Sequence, residues 1–339
     1  MQHRHLVWPW LAAGFAGLFA LSAQASDLKV LSHIPAGGEG GWDYANVDPA
    51  NHKLYVTRGA SVMAFNLKTR VTTLRIAPAA GGHTALPING GGELLITNGL
   101  TQTATIVSAA TGALRATIAT GPKPDAAVFE PTSGLVIVMG NRTGEMTLID
   151  PRSGVGVGVI TVGGALEFAV ADGAGRVFVN VQDKGELVAV DIKARKVIGR
   201  YKLEGCEDPS GLAYDGARKL LLSACANGVA KVTSAIDGKA IASLTIGPRP
   251  DAALYDSVRK IAYIPSGGGE GTLSVIDLDG AGGPKVVQTL RTAPGARLGA
   301  IDPRTGHVYL PAAKYAPAAT PGGRPSMIPG SFELIEIGK

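Results

Sequence analysis

The sequence predicts an all-β fold: a seven-bladed β-propeller whose ring is closed when the N-terminal strand pairs with the last blade. Three observations support this prediction. An acidic or amide residue recurs along the chain at steps of 41 to 46 residues. A turn and a short apolar, β-branched run follow each recurrence. Four short strands in a fixed period of about 40–45 residues are typical of propeller blades.

The chain begins with a segment typical of a secretory signal. Residues 1–25 combine a weakly basic start, an apolar run over residues 6–21 and the small-x-small pattern Ala23-Gln24-Ala25. A retained membrane anchor is the alternative, but the apolar run is shorter than the ~20 residues of a membrane span. We therefore expect a cleaved signal peptide and one mature propeller domain, residues 26–339, in the periplasm or outside the cell.

The mature chain starts and ends with unpartnered strands. Residues 27–35 read as a strand that belongs to no repeat, while the last repeat has only three strands and ends near residue 337. Pairing the first strand with the last blade removes two open sheet edges at once. This pairing is the predicted closure of the ring.

The recurring residue marks the end of the first strand in each blade. Such a residue, followed by Pro, Gly, Asn or Lys, suits a tight hairpin turn. The seven positions are Asp48, Asn89, Glu130, Asp172, Asp215, Asp256 and Asp302.

Second and third strands follow these turns. Runs such as Leu54-Tyr55-Val56-Thr57 and Leu135-Val136-Ile137-Val138 are apolar on both faces, as expected for strands covered by neighbouring sheets. Leu187-Val188-Ala189-Val190-Asp191 is a third strand of the same kind. A helical fold is excluded because the 47 Gly and 21 Pro would interrupt any long helix.

The repeats resemble the YVTN-repeat β-propeller family of exported bacterial proteins. Tyr55-Val56-Thr57-Arg58 and Leu95-Ile96-Thr97-Asn98 are near copies of the second-strand signature of the family. Thr147-Leu148-Ile149-Asp150 and Ser274-Val275-Ile276-Asp277 look like its third strand. The resemblance covers essentially the whole mature chain. It implies the propeller fold and a role as an exported interaction protein, and it implies no particular activity.

Cys206 and Cys225 are the only two cysteines of the chain. Cys206 lies in the connection between the fourth and fifth blades, and Cys225 ends the second strand of the fifth. Both positions fall on one face of a propeller, so we expect a disulfide in an oxidising compartment. Two separate buried thiols are the alternative.

Net charge excludes one class of partner. The formal charge of +5 becomes +4 when the signal and its Arg4 are removed, and basic residues are scattered singly. A nucleic-acid partner is not expected, because it would require a clustered basic face. No stretch after the signal approaches membrane-spanning length. We also expect the protein to be a monomer.

Binding residues are expected on the upper face, which collects the blade-to-blade connections and the loops after each second strand. The longest of these loops is the proline-rich segment 312–331, for which a binding loop and a disordered insertion remain open. Polar residues also converge where the first strands begin, at the mouth of the central channel. The candidate ligand-binding residues are Trp42, Asp43, His83, Asp125, Glu167, Asp208, Asp251 and Arg297.

Crowded carboxylates repel one another unless a cation, a proton or a basic partner offsets them. A divalent cation is therefore a possible cofactor. The recurrence of Pro124-Asp125-Ala126 as Pro250-Asp251-Ala252 favours a structural role for each aspartate taken singly. Four residues break the repeat and therefore carry more information about function: Trp42, His83, Glu167 and Arg297.

Two functions follow from this pattern. The first is an exported, non-catalytic binding or scaffold protein whose upper face takes a protein, a cell-envelope component or a small ligand. The second is a metal-dependent hydrolase or lactonase, in which the carboxylates and Asn98, Asn141, Asn180 or Asn227 hold a cation. No catalytic motif appears, so the sequence favours the first. A haem site is disfavoured because only His83 lies near the mouth and no Cys-x-x-Cys-His exists.

Overall fold

The computed structural model describes residues 28–280, 282–317 and 325–339. The predicted signal peptide, residues 1–25, lies outside the described residues. The described residues form 29 strands, numbered β1 to β29, and two single turns of 3-10 helix, Asn89–Gly91 and Gln182–Lys184. The all-β prediction is confirmed. No helix within these residues is long and apolar enough to cross a membrane.

Four sheets contain four consecutive antiparallel strands each. The first is β9 (Pro124–Glu130), β10 (Leu135–Gly140), β11 (Glu145–Asp150) and β12 (Val155–Thr161). The second is β13 (Leu166–Ala171), β14 (Arg176–Val181), β15 (Glu186–Asp191) and β16 (Lys196–Lys202). The third is β17 (Pro209–Asp215), β18 (Leu220–Cys225), β19 (Val229–Ser234) and β20 (Ala240–Thr245). The fourth is β21 (Leu254–Asp256), β22 (Ile261–Ser266), β23 (Thr272–Asp277) and β24 (Lys285–Arg291).

One sheet contains seven strands because a single long strand serves two neighbours. Its strands are β2 (Ala45–Asp48), β3 (Lys53–Thr57), β4 (Gly59–Asn66), β5 (Thr72–Ile88), β6 (Glu93–Asn98), β7 (Thr103–Ser108) and β8 (Leu114–Ala119). The first part of β5 pairs with β4 and the second part with β6, and Gly82 lies at the change of partner.

The chain termini meet in the last four-stranded sheet, whose order is β1 (Lys29–Pro35), β29 (Glu333–Gly338), β26 (Val308–Ala312) and β25 (Ala300–Ile301). β1 runs antiparallel to β29, from Lys29 opposite Gly338 to Pro35 opposite Glu333. A separate short hairpin joins β27 (Tyr315–Ala316) to β28 (Ser326–Met327).

The first strands of the successive units pack against one another in sequence. β2 contacts β5, β5 contacts β9, and the series continues through β13, β17, β21 and β25, which contacts β2 again. The second and third strands behind them are buried, with Leu54, Ile137 and Val188 among the fully covered side chains. The architecture is therefore that of a β-propeller-like array, with its apolar core between the sheets.

The recurring acidic residues have a structural reason. Six of the seven accept hydrogen bonds from backbone N–H groups of the turn that follows, as Asp215 does from Ala217 and Arg218. The others are Asp48, Glu130, Asp172, Asp256 and Asp302. Asn89 instead adopts a left-handed φ of 51° and starts a 3-10 turn. A short side-chain acceptor is what such turns require.

The two cysteines form a disulfide, with Cα atoms 5.3 Å apart. The bond ties the connection between β16 and β17 to the last residue of β18, and Cys225 is fully buried. Two strands of one sheet are thereby fixed at the end where their connecting loops lie.

Candidate functional site

Four carboxylates, each from a different sheet, come together where the first strands begin. Asp43 lies just before β2, Asp125 and Glu167 are the second residues of β9 and β13, and Asp251 lies shortly before β21. Each of Asp125, Glu167 and Asp251 has its pKa raised in part by the negative charge of one or more of the others. We call these four residues the acidic cluster.

Side chains at the ends of the second strands fix the backbone of the acidic cluster. Thr57 donates its hydroxyl to the carbonyl of His83 at 2.7 Å, and Thr97 donates to the carbonyl of Asp125 at the same distance. Asn180 makes the same kind of bond to the carbonyl of Ser210 at 3.1 Å. Each bond ties the end of a second strand to a first strand of the following unit, so the first-strand residues are held in fixed positions around the centre.

His83 is in contact with two of the carboxylates. Its Nδ1 atom is 2.7 Å from Oδ2 of Asp43 and 3.2 Å from Oδ1 of Asp125. The side chains of His83 and Asp43 are about a quarter exposed, at 24% and 28%, whereas that of Asp125 is only 8% exposed. The hydrogen bond with Asp43 raises the pKa of His83 above its ordinary value, against the effect of burial.

Burial and mutual repulsion disfavour charge on the deeper carboxyls. Burial, followed by the charge of Asp43, raises the pKa of Asp125 to about 7, although His83 and Lys123 oppose this. Burial, followed by the charges of Asp125 and Asp251, raises the pKa of Glu167 to about 8. Near neutral pH these carboxyls therefore hold protons that ordinary carboxyls would have lost.

Asp251 has its own basic partner. Nε of Arg297 lies 3.0 Å from Oδ2 of Asp251, and the backbone N–H of Asp251 donates to the carbonyl of Arg297. Burial still raises the pKa of Asp251 to about 6, since the arginine offsets it only in part. Arg297 is half exposed, so it screens the edge of the acidic cluster rather than its interior.

A second basic residue reaches the acidic cluster through an amide. The ammonium of Lys123 donates to the side-chain carbonyl of Asn141 at 2.7 Å, and the amide of Asn141 donates to Oε1 of Glu167 at 2.6 Å. Asn141 therefore holds Glu167 in place. Of the other asparagines proposed as ligands, Asn98 and Asn180 bond mainly to backbone atoms nearby, and Asn227 bonds to the loop of Gly205.

Tyr44 is a member of the site that sequence reasoning missed. It is buried, its ring packs edge-on against Phe168, and its backbone N–H donates to the carbonyl of His83. Burial, followed by the charges of Asp125 and Glu167, raises the pKa of its hydroxyl well above the ordinary value. A signal was available: alanine follows Asp125 and Asp251, whereas the large Tyr44 follows Asp43.

Trp42 lies in an aromatic group beside the acidic cluster. Its ring centroid is 5.3 Å from that of Phe332 and 6.3 Å from that of Tyr315. The guanidinium of Arg58 stacks 3.6 Å over Phe332 and donates to four carbonyls of the glycine-rich loop, residues 37–41. That loop is thus held by a buried arginine.

The long loop contributes Tyr315, which belongs to the hairpin of β27 and β28. Residues 318–324 of this loop lie outside the described residues. Asp208 is not brought into the acidic cluster: it is exposed, with a left-handed φ of 44°. Seven of the eight predicted residues therefore lie in or beside one site, and Asp208 does not.

Comparison with known proteins supports the fold. Neither a family model nor a curated protein matches this sequence. A chain of hydrazine synthase from Kuenenia stuttgartiensis matches with a TM-score of 0.68 at 14% identity, over 87% of this chain and 96% of that chain. A chain from the crystal structure of a mitotic checkpoint complex matches with a TM-score of 0.71 at 10% identity, over 99% of both chains. At these identities the likeness shows a β-propeller-like fold and nothing about activity.

Proposed function

We propose that this protein is an exported, non-catalytic β-propeller that binds a positively charged group of a protein or cell-envelope component at its acidic cluster. The observation that carries the proposal is the convergence of four carboxylates from four sheets, with raised pKa values at three of them. Carboxyl groups crowded into a partly closed site favour a cationic partner, because a bound cation offsets their mutual repulsion and allows the protonated ones to ionise.

The proposed propeller has seven blades. Six of the first strands would each begin one blade, and the long strand β5 would end the first blade and begin the second. The cyclic contacts from β2 through β25 and back to β2 support this count. The pairing of β1 with β29 would then close the ring, and the acidic cluster would lie at the upper mouth of the central channel.

Export is proposed from two features. A disulfide between Cys206 and Cys225 is typical of an oxidising compartment. Residues 1–25 carry the pattern of a cleaved signal.

An interaction role is supported by the resemblance to exported YVTN-repeat proteins. It is also supported by the match to a chain of a mitotic checkpoint complex, itself a protein assembly.

The test compares capture of partners from a cell-envelope extract by three immobilised proteins. In the first variant, Glu167→Gln with Asp251→Asn, the acidic cluster loses two carboxylates. In the control, Asp237→Asn with Glu204→Gln, the same formal charge is removed from exposed positions elsewhere. We expect a salt-sensitive partner that the wild type and the control retain and that the first variant loses at least about tenfold. Equal capture by all three proteins would contradict the proposal.

A second candidate function, a metal-dependent hydrolase, is favoured by one observation: Asp43, His83 and Asp125 present three ligand atoms within 4.8 Å of one another. A metal-bound water in such a site attacks esters and lactones. The test is hydrolysis of an ester and lactone panel with added divalent metals. Turnover that Asp125→Asn abolishes would assign the hydrolase; the binding proposal expects rates equal to those of buffer.

A further inference from the structure

One proton on the His83 ring nitrogen Nδ1 cannot form hydrogen bonds with both Asp43 and Asp125. A single ring nitrogen, Nδ1, faces both carboxylates, at 2.7 and 3.2 Å. It carries at most one proton, and the hydrogen bond goes to Asp43. The carboxylate of Asp125 accepts no hydrogen bond from the part of the chain that the structure describes, although its side chain is only 8% exposed. Buried carboxylates are normally paired or hydrogen-bonded.

Tyr44 provides a further polar group near these side chains and is 7% exposed. The charges of Asp125, Glu167, Asp43 and Asp251 all raise the pKa of its hydroxyl, so the hydroxyl lies near the acidic cluster. In the described residues the ion-pair partner of the buried Asp125 is a histidine that already bonds to Asp43, and the ligand atoms of the three side chains converge on one small region. A cation bound there would satisfy the carboxylate of Asp125.

The spacing of the three atoms suits a small metal ion. Ligand atoms bound to zinc at about 2.0–2.2 Å stand about 3.3–3.6 Å apart in a tetrahedron. The 3.2 Å separation between Nδ1 and Asp125 is close to this range, whereas the 2.7 Å separation between Nδ1 and Asp43 is that of a direct hydrogen bond. An ion that replaced the Nδ1 proton would therefore require Asp43 to move outward by roughly 0.6 Å.

We propose that Asp43, His83 and Asp125 form a binding site for one divalent first-row transition metal ion, with Tyr44 beside it. This inference goes beyond the proposed binding function: it rests on the three ligand atoms that favour the second candidate function, and it requires no catalysis.

The donor set decides the class of metal. One imidazole nitrogen with two carboxylates suits zinc, manganese or iron, whereas calcium and magnesium prefer sites made of oxygen alone.

His83 is also positioned to act as a metal ligand. Its backbone carbonyl is held by Thr57, and its ring lies so close to Gly99 that a Cβ there would be 2.8 Å from Nε2. The glycine therefore leaves room for the ring, which a larger side chain at position 99 would displace.

Titration of the mature chain with zinc chloride alone, after treatment with a chelator, tests the site. We expect one zinc per chain with micromolar or tighter affinity, and no measurable binding of calcium. His83→Ala and Asp125→Asn each weaken zinc binding at least about 100-fold, since loss of a ligand costs more than the 10–100-fold of an outer-shell partner. Tyr44→Phe weakens it by about tenfold.

Two controls keep the test decisive. His33→Gln removes a surface histidine that pairs with Glu333 and is 54% exposed, and it leaves zinc affinity unchanged. The melting temperature of metal-free Asp125→Asn is measured beside that of the wild type, so that a loss of zinc binding is assigned only in a folded variant. No zinc binding by the wild type, or binding that Asp125→Asn leaves intact, overturns the metal site.

The outcomes separate this inference from the proposed function. A protein that binds no zinc but loses its envelope partner in the Glu167→Gln, Asp251→Asn variant has a cation-binding site without a metal. A protein that binds zinc through Asp43, His83 and Asp125 but captures no partner has the metal site, and the proposed function fails.

Discussion

Glu167 shows most clearly how burial and nearby negative charge disfavour an ionised carboxylate in the acidic cluster. It is buried, and its one hydrogen bond from a side chain in the described residues comes from Asn141, an uncharged donor at 2.6 Å. Asp125 and Asp251 add negative charge nearby, so burial and repulsion raise its pKa from 4.5 to about 8. A buried carboxyl whose ionised form is disfavoured in this way lowers stability at neutral pH and is typical of a binding site.

Substitution Glu167→Gln is expected to stabilise the protein at alkaline pH. The pKa of the folded state lies above that of the unfolded state, so folding retains a proton between pH 4.5 and about 8. The stability of the wild type therefore falls as the pH rises through this window. We expect the variant to match the wild type near pH 4.5 and to exceed it by about 1–3 kcal/mol at pH 9. Urea unfolding at pH 4.5, 7 and 9 measures this.

Glu270→Gln is the matched control for this experiment. Glu270 pairs with Arg291, and both side chains are about 70% exposed, at 71% and 72%. Its substitution changes the free energy of unfolding by less than about 1 kcal/mol at each pH. A Glu167→Gln variant whose stability follows the wild type at every pH would show that the carboxyl is ionised without penalty.

Sequence reasoning found the carboxylates of the site because they stand at equivalent places of a repeat. The periodicity predicts that Asp43, Asp125 and Asp251 lie near one another, and the structure brings them together with His83. It also predicted Asp208, which is exposed, has a left-handed φ of 44° and makes no ion pair with the acidic cluster in the described residues. The partnering of His83 with two carboxylates was not predictable, since a distance of a few ångströms depends on packing between sheets rather than on spacing along the chain.

Strand β29 joins the two ends of the chain through one buried carboxylate. Glu336 accepts hydrogen bonds from Ser32 on β1, from Arg70 in the turn between β4 and β5, and from Tyr309 on β26, all at 2.8 to 2.9 Å. His307 adds a fourth contact at 2.9 Å. Burial alone would raise the pKa of Glu336, but these bonds outweigh it and hold the pKa at about 2.

Substitution Glu336→Gln is expected to destabilise the protein by about 2–4 kcal/mol at pH 7, because it leaves Arg70 and several other donors without their charged, buried acceptor. The depressed pKa gives stability above pH 4.5 that is lost as the pH falls towards 2, so the difference between the proteins shrinks in acid. Glu333→Gln, on the same strand, breaks an exposed pair with His33 and costs less than about 1 kcal/mol. Equal loss in both variants would contradict the argument.

Element boundaries were predictable where the turn chemistry is regular. The acidic residue before each turn caps it through backbone N–H groups, so the strands on either side fall where the repeat places them. Two features were not predictable. The long strand β5 serves two sheets, and the hairpin of β27 and β28 forms inside a loop for which the sequence left binding and disorder open. Neither has a periodic signal, because each occurs once.

At the scale of the whole molecule, stability depends on how the ends of the chain meet. In a ring of sheets each unit contacts its two neighbours, so an open ring exposes two faces and one strand edge. β1 covers the edge of β29, and both Ile34 of β1 and Leu28, directly before this strand, are buried against other sheets. A strand from the start of the chain thereby completes the sheet formed by its end, and the proposed ring is fixed by one seven-residue segment.

Deletion of residues 26–35 tests the proposed closure. The deletion removes the β1–β29 ladder, the Ser32 contact with Glu336 and the burial of two large apolar side chains, each worth about 1.5–3 kcal/mol. We expect a loss of roughly 3–6 kcal/mol, a melting temperature lower by roughly 5–10 °C, and association through the bare edge of β29. The control is a chain that begins at residue 26 and keeps β1. Differential scanning calorimetry and size-exclusion chromatography compare the two proteins. If the truncated chain melts at the same temperature as the control and stays monomeric, the ring is stable without its N-terminal strand. The proposed closure would then be wrong.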